Sequence, residues 1–264
     1  MINISLEEGK KLYFASDFHL GVPNYEKSLE REKKIVKWLD SIKHDCQALF
    51  LVGDVFDFWF EYKHVVPKGF IRLQGKLAEL ADYGISIYMF RGNHDMWLFD
   101  YFEKEIGAQI FQDPQTITCE GKKIFIHHGD GLGTHDKLYR FVRKFFTSKI
   151  CQWLFARLHP NAAIGFANFN SNSSRIRNSK ADELFLKEKE FLWQFCKEEI
   201  KKEYFDFFIM GHRHLPLYLP VTEHSYYVNL GEWVNYSYFG EFDGIHFHLK
   251  SFEPCAPYFT KNDL

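Results

Sequence analysis

Five short apolar runs in this chain each end at a carboxylate, an imidazole or a carboxamide, and no other feature restricts the fold as much. KLYFAS (11–16) leads into Asp17-Phe18-His19, ALFLVG (48–53) into Asp54-Val55-Phe56-Asp57, and ISIYMFRG (85–92) into Asn93-His94-Asp95. KKIFI (122–126) is followed by His127-His128-Gly129-Asp130, and FDFFIMG (205–211) by His212-Arg213-His214. The runs are short, continuous and bounded by Gly or turn residues, which predicts buried strands. A sixth run, YYVNLG (226–231), reads the same way. Between several of them apolar residues recur at helical spacing: Leu29, Ile35, Val36, Leu39 and Ile42 in 26–43, Phe70, Leu73, Leu77 and Leu80 in 70–83, and Leu184, Phe191, Leu192, Phe195 and Ile200 in 181–203. This alternation predicts an α/β core with largely parallel pairing, followed by a strand-rich meander from 226 to about 252. In open α/β sheets ligands gather at the carboxyl ends of strands, so these distant groups are expected to converge at one edge.

The converging groups offer nitrogen and oxygen donors and no sulfur. That set suits Mn, Fe, Zn or Mg and argues against a closed thiolate zinc site. The donors exceed what one ion needs. Two ions ~3.5–4 Å apart, bridged by a shared carboxylate, would use them and form a clamp for phosphoryl chemistry. A single Asp at a strand end is more often a turn-former or a helix cap, so the weight rests on five such ends together. His127 and His128 point to opposite faces of their strand, and His128, beside Gly129, is the one assigned to the cluster. Gly92 is expected to permit a sharp exit from its strand, and Asp95 to support the loop by hydrogen bonds. His246 and His248 share a strand face and read as solvated.

The 264 residues suffice for one large domain with a full core. Five scattered cysteines (Cys46, Cys119, Cys151, Cys196, Cys255) contain no C-x-x-C pair and predict buried free thiols. No apolar run approaches the ~20 residues that span a bilayer. The N-terminal MINISLEEGKK is polar and acidic where a signal peptide is basic and then apolar, which predicts a cytoplasmic protein. Net charge is −2, but residues 132–180 hold nine Lys/Arg against the single acid Asp136, so this segment is +8 and the remainder −10. The strand rhythm also breaks there, which marks a candidate insertion with an anionic partner. Within 136–146, Leu138, Phe141, Val142, Phe145 and Phe146 share one helical face and Arg140, Arg143 and Lys144 the other. Such a basic amphipathic helix lies on an anionic membrane or covers an amphipathic ligand; the plainer alternative is a helical cap packed on the sheet.

In order, D-x-H, G-D-x-x-D, G-N-H-D, H-G-D and G-H-x-H resemble the motifs of the calcineurin-like metallophosphoesterases, over residues 17–214. The resemblance implies an α/β metallophosphoesterase αββα sandwich, a single domain over 1–264 with a helical lid inserted at 132–180. It implies one divalent ion on Asp17, His19, Asp54 and His214, and a second on Asp54, Asn93, His128 and His212, with Mn²⁺ first and Mg²⁺ or Fe as alternatives. A hydroxide between the ions would be the nucleophile. His94 would stand near the leaving or phosphoryl oxygen, with Asp57 orienting its ring.

A narrower resemblance is carried by SDFHLG (16–21), LVGDVFDFWFEY (51–62), HGDGLGTHDKLY (128–139), SNSSR (171–175), MGHRHLP (210–216) and LGEW (230–233). These are similar to the UDP-2,3-diacylglucosamine diphosphatases of lipid A biosynthesis. That family's reaction splits an acylated nucleotide sugar into UMP and 2,3-diacylglucosamine 1-phosphate. The match places substrate contacts at Asp136, Tyr139, Asn172 and Arg175. With the basic helix, the expectation is peripheral attachment to the cytoplasmic face of the inner membrane; no nucleic acid is expected and no obligate protein partner is inferred. One departure stands out. Better-known proteobacterial members carry Arg at the position of His94 and Glu at that of Asp57, whereas this chain has the His–Asp pattern of the wider superfamily. The rival readings are a metallophosphoesterase for another phosphodiester or nucleotide, and a non-catalytic scaffold of the same fold.

Overall fold

The computed structural model describes residues 1–133, 137–165, 184–254 and 258–263, and of 137–139 the backbone alone. The predicted runs form strands β2 (Lys11–Ala15), β3 (Cys46–Val52) and β4 (Ser86–Phe90), which pair in parallel and continue to β5 (Gln109–Phe111). β11 (Tyr238–Phe242) adds antiparallel to β2, and β12 (Phe247–Ser251) closes that side, giving a six-stranded sheet. The second sheet runs in the order β1 (Ile2–Ile4), β6 (Gln115–Cys119), β7 (Lys122–Ile126), β8 (Phe207–Met210), β10 (Tyr226–Leu230), β9 (Pro216–Pro220). Here β7, β8 and β10 are mutually parallel, so their carboxyl ends share one edge.

The strands read as continuously apolar because both of their faces are covered. Side chains alternate along a strand. Leu12 and Phe14, Ala48, Phe50 and Val52, and Tyr88 and Phe90 face the second sheet, where Ile124, Ile126, Phe207, Ile209, Val228 and Leu230 meet them. Tyr13, Ala15, Leu49, Leu51, Ile87 and Met89 face the other way, onto α1 (Tyr25–Ile42), α2 (Ile71–Asp82) and α3 (Tyr101–Ile106). On the far side of the second sheet, Phe125, Phe208, Met210 and Tyr227 pack with Leu192, Trp193 and Cys196 of α6 (Phe191–Glu199). The result is the expected αββα sandwich.

Local pattern misjudged three features. The tail is not one meander: β10 belongs to the second sheet, and the chain then crosses to place β11 beside β2 in the first. The helix expected over 181–203 is regular only across Phe191–Glu199, preceded by a 3₁₀ turn at Lys187–Lys189, and 181–183 lie outside the described residues. Strands β1, β5, β6 and β9 were not expected; β1 and β5 have three residues each, and β9 carries Pro at both ends.

The segment expected to be an insertion forms α4 (Lys137–Phe146) and α5 (Lys149–Phe155), the latter capped by the Ser148 side chain accepting from the Cys151 amide. Phe155 seats α5 on the sandwich, with ring centroids 4.7 Å from Phe60 and 4.6 Å from Trp97. Much of the remaining apolar surface faces water: Phe141 is 72% exposed, Ile150 74% and Trp153 56%. Leaving such side chains in water forgoes about 1.5–3 kcal/mol each, and a patch of them marks an interaction surface. Asp136, Asn172 and Arg175, with the side chain of Tyr139, lie outside the described residues. Cys46, Cys119 and Cys196 are buried free thiols, Cys151 is half-buried and free, and Cys255 falls outside the described residues. Among the described residues no helix is long and apolar enough to cross a membrane.

Candidate metal centre

The loops leaving β2, β3, β4, β7 and β8 interlock at the shared edge. Asp17 donates its amide to the Gly53 carbonyl (3.0 Å), His19 donates to Asp54 (2.9 Å), and Gly211 donates to His128 (2.9 Å). These contacts hold an unusual backbone. Asp17, His19, Asp54, His212 and His214 all have left-handed φ, between 45° and 67°. Outside glycine this region costs of order 1–3 kcal/mol per residue, and it clusters at functional sites. The sheet edges and α1 hold the strain in place. Buried Arg31 of α1 donates to the carbonyls of His19 (2.6 Å) and Val22, and Trp233 donates its amide to the Asp17 carbonyl (3.1 Å).

Close approach explains the glycines better than turn geometry does. Gly92, expected to permit a sharp exit from its strand, has no positive φ, and what requires a glycine there is space. A β-carbon at Gly92 would overlap the Asp54 carboxylate and come within 2.6 Å of the Asp54 amide nitrogen. One at Gly211 would overlap the Asp17 carboxylate. Both glycines let a loop press directly against a carboxylate.

Each of these two buried carboxylates is oriented through one oxygen. Asp17 Oδ2 accepts from the His212 amide (3.0 Å), and Asp54 Oδ1 accepts from the His94 amide (2.8 Å). The other oxygens, Asp17 Oδ1 and Asp54 Oδ2, are buried without a hydrogen-bond donor. Asp17 Oδ1 lies 3.5 Å from His19 Nε2 and 3.3 Å from His214 Nε2, and the two imidazole nitrogens face each other at 3.1 Å. Donors bound tetrahedrally to one ion at ~2.1 Å stand about 3.4 Å apart, so this triangle has the size of a divalent-metal site. Asp54 Oδ2 lies 3.4 Å from His128 Nε2, which is 3.3 Å from Asn93 Oδ1, and 3.8 Å from His19 Nε2. Asp54 thus sits between the two groups, as a shared ligand must. His128 donates Nδ1–H to the Val52 carbonyl at 2.8 Å, which leaves Nε2 to face the cluster.

The remaining candidates are less central. His212 stacks edge-on to His128 with centroids 5.2 Å apart, and it belongs to none of the three-donor groups formed around Asp17 and Asp54 among the described residues. His94 turns Nδ1 toward the Asp57 backbone carbonyl (3.1 Å), while Asp57 Oδ1 lies 3.5 Å from His94 Nδ1 and 3.6 Å from His19 Nδ1. The side chain of His94 is 18% exposed where those of Asp17, His19, Asp54 and His128 are at most 1%, so it stands at the mouth of the site.

Electrostatics favour a cation. Burial alone would raise the Asp17 and Asp54 carboxyls. For Asp17 the facing imidazoles of His19 and His214, and for Asp54 the charges of His128 and His94, carry them instead well below the usual range. Burial pushes Asp95 the opposite way, to about 7, with the Asp54 charge beside it. Asp95 nonetheless accepts from the amides of Gly92 (2.8 Å), Val55 (2.8 Å) and Phe56 (3.3 Å), tying the β3 and β4 loops together. His127, kept out of the cluster, is pushed down to about 4 by burial and accepts from the Gly129 amide.

Several residues outside the expected donor set support the site. Arg213, between His212 and His214, is buried and pairs twice with fully buried Glu190 (3.0 and 3.2 Å). Asn229 reaches the Gly211 carbonyl and accepts from the Gly231 amide (3.2 Å). Arg143, grouped with Arg140 and Lys144 on the face expected to meet an anionic membrane or an amphipathic ligand, turns inward and pairs with buried Asp130 at 3.3 Å. The only advance signal was position within a motif, as for the Arg of G-H-R-H.

Fold and site together are those of a phosphoesterase. The family model for calcineurin-like phosphoesterases matches residues 10–216, and the chain belongs to that family. Membership implies divalent metal ions, and the donors described above fit them. Among curated relatives, a UDP-2,3-diacylglucosamine hydrolase of Porphyromonas gingivalis is 36% identical over 256 residues, covering 92% of this chain and 98% of its own length. Proteins of the same name from Histophilus somni strain 2336 and Haemophilus influenzae Rd are each 28% identical over 85% of this chain, covering 92% and 91% of theirs. Among solved structures, a predicted phosphoesterase of Streptococcus pneumoniae TIGR4 aligns with 92% of this chain and 88% of its own at 12% identity and a TM-score of 0.43.

Proposed function

We propose that this protein hydrolyses the diphosphate of UDP-2,3-diacylglucosamine in lipid A biosynthesis, releasing UMP and 2,3-diacylglucosamine 1-phosphate. The observation that carries the reaction type is the pair of buried carboxylates, Asp17 and Asp54, each with one oxygen fixed and the other left facing imidazoles. The relatives' shared name and the apolar surface of α4 and α5 support the substrate. Asp17, His19, Asp54 and His214 would hold one ion and Asp54, Asn93 and His128 the other, with His212 beside His128. Mn²⁺ suits this mixed nitrogen and oxygen set. Such ions would supply charge neutralisation at the phosphoryl oxygens and a lowered pKa for a bound water.

The chain's own residues do the rest. Water adds to the phosphorus nearest uridine, the anhydride bond breaks, and the bridging oxygen leaves on the sugar phosphate. With Nδ1–H donated to the Asp57 carbonyl, His94 presents Nε2 at the mouth of the site to hold or deliver a proton at the departing oxygen. Hydrolysis in ¹⁸O-water tests this account: the label is expected in UMP, and label in the sugar phosphate would overturn it. His94→Ala is expected to keep metal and fold while turnover falls roughly 10²–10⁴-fold, the usual worth of a general acid. Normal turnover in that variant would remove His94 from the mechanism.

The insertion is proposed to rest on the anionic cytoplasmic face of the inner membrane, with Asp136, Tyr139, Asn172 and Arg175 contacting substrate. Exposed Arg140 and Lys144 remain available to lipid phosphates. Each contributes about 1 kcal/mol near an anionic surface, so Arg140→Glu with Lys144→Glu should weaken binding to phosphatidylglycerol vesicles at least ~10-fold at low salt. Unchanged, salt-independent binding would sink the membrane reading.

A further inference from the structure

α4 lies on the protein with its chemistry inverted. Phe141 and Phe145 point to solvent, while the Arg143 guanidinium turns toward the site loops. Arg143 Nε is 3.3 Å from Oδ2 of Asp130, which is buried two residues beyond His128. Its Nη2 donates to the Gln112 carbonyl at 3.0 Å, and the Gln112 side-chain oxygen accepts from Arg91 Nη1 at 3.0 Å. Arg91 stands two residues before Asn93. One polar chain therefore runs from the β4 loop through Arg91, Gln112 and Arg143 to the loop after β7. A second tie lies a turn further along α4, where Trp97 Nε1 donates to the Phe146 carbonyl at 2.9 Å.

We propose that Arg143 is a positioning residue that fixes the insertion relative to the metal-bearing loops, so that an amphipathic substrate meets its apolar surface and the metal centre in one register. The part concerning substrate rests on the function proposed above; the part concerning position does not. An ordinary amphipathic helix buries its apolar stripe and is held by it. Among its described side chains α4 leaves much of that stripe in water, Phe146 against Trp97 excepted (ring centroids 6.1 Å), so polar ties carry much of its placement. Of these, the Arg143–Asp130 contact is an ion pair with a buried partner. Lysine would keep the charge but lose the fork that reaches Asp130 and Gln112 together.

The test uses the full-length, metal-loaded protein and compares wild type, Arg143→Gln and Arg143→Lys. Amide hydrogen exchange across 140–147 is expected to quicken at least tenfold in R143Q, less in R143K, with the β-sheet amides unchanged. KM for UDP-2,3-diacylglucosamine is expected to rise at least tenfold in R143Q. Metal content, and hydrolysis of bis(p-nitrophenyl) phosphate, should stay within about twofold of wild type. Unchanged exchange in R143Q would overturn the positioning role. Equal loss on both substrates would also overturn it, since that would make Arg143 part of the general machinery. If wild type fails on the acylated substrate, the substrate assignment falls, and the exchange experiment still decides the role of Arg143.

Discussion

Asp54→Ala is expected to lower bound metal from two ions per chain to fewer than one and to reduce turnover on the order of 10³-fold or more. Asp54 Oδ2 lies between the His128 and His19 nitrogens, at 3.4 and 3.8 Å, so its loss takes a donor from both proposed metal groups. Metal stabilisation of phosphoryl charge is worth several kcal/mol, and each 1.4 kcal/mol is a factor of ten in rate. Asp54→Asn separates charge from shape. It keeps an acceptor for the His94 amide but offers no shared anion, so it should fold like wild type and still bind metal poorly. Elemental analysis after dialysis, with turnover on the same samples, checks both variants. An alanine variant that holds two ions and turns over within tenfold of wild type would remove Asp54 from the centre.

The second large effect is on stability. Glu190→Ala removes a fully buried carboxylate that accepts from Arg213 Nε (3.0 Å), Arg213 Nη2 (3.2 Å) and the Leu186 amide (2.8 Å). The buried Arg213 guanidinium then loses this carboxylate. Breaking a buried pair in this way costs about 3–5 kcal/mol, because the pair no longer offsets desolvation of the surviving charge. At ~2–4 °C per kcal/mol for a chain of this size, the melting temperature should fall on the order of 10 °C. Arg213 separates His212 from His214, so weaker metal binding is expected with it. A melting temperature within 2 °C of wild type would show that the pair contributes little.

What the sequence disclosed and what it hid divide along physical lines. β2, β3, β4, β7 and β8 were legible because strands covered on both faces leave unbroken apolar runs. Helices α1 and α2 were legible because one face of each is apolar. The crossing from β10 to β11 was not, since Tyr226–Leu230 and Tyr238–Phe242 differ in their partners and not in their local pattern. At the site, donor types could be read from strand ends. The left-handed backbone of Asp17, His19 and Asp54 could not, because contacts from Gly53, Asp95 and Arg31 impose it. The inward turn of Arg143 was hidden for the same reason: a helical pattern shows two faces and does not say which one meets the protein. Burial of Asp130, thirteen residues earlier in the chain, decides it.

The account stands most directly on one measurement: mass spectrometry of the products after the purified protein meets UDP-2,3-diacylglucosamine, with Mn²⁺ and with chelator. UMP together with 2,3-diacylglucosamine 1-phosphate, formed with Mn²⁺ and suppressed by chelator, is the predicted result. Intact substrate under both conditions, from a protein that hydrolyses a simple aryl phosphodiester with Mn²⁺, would contradict the assignment of the lipid substrate.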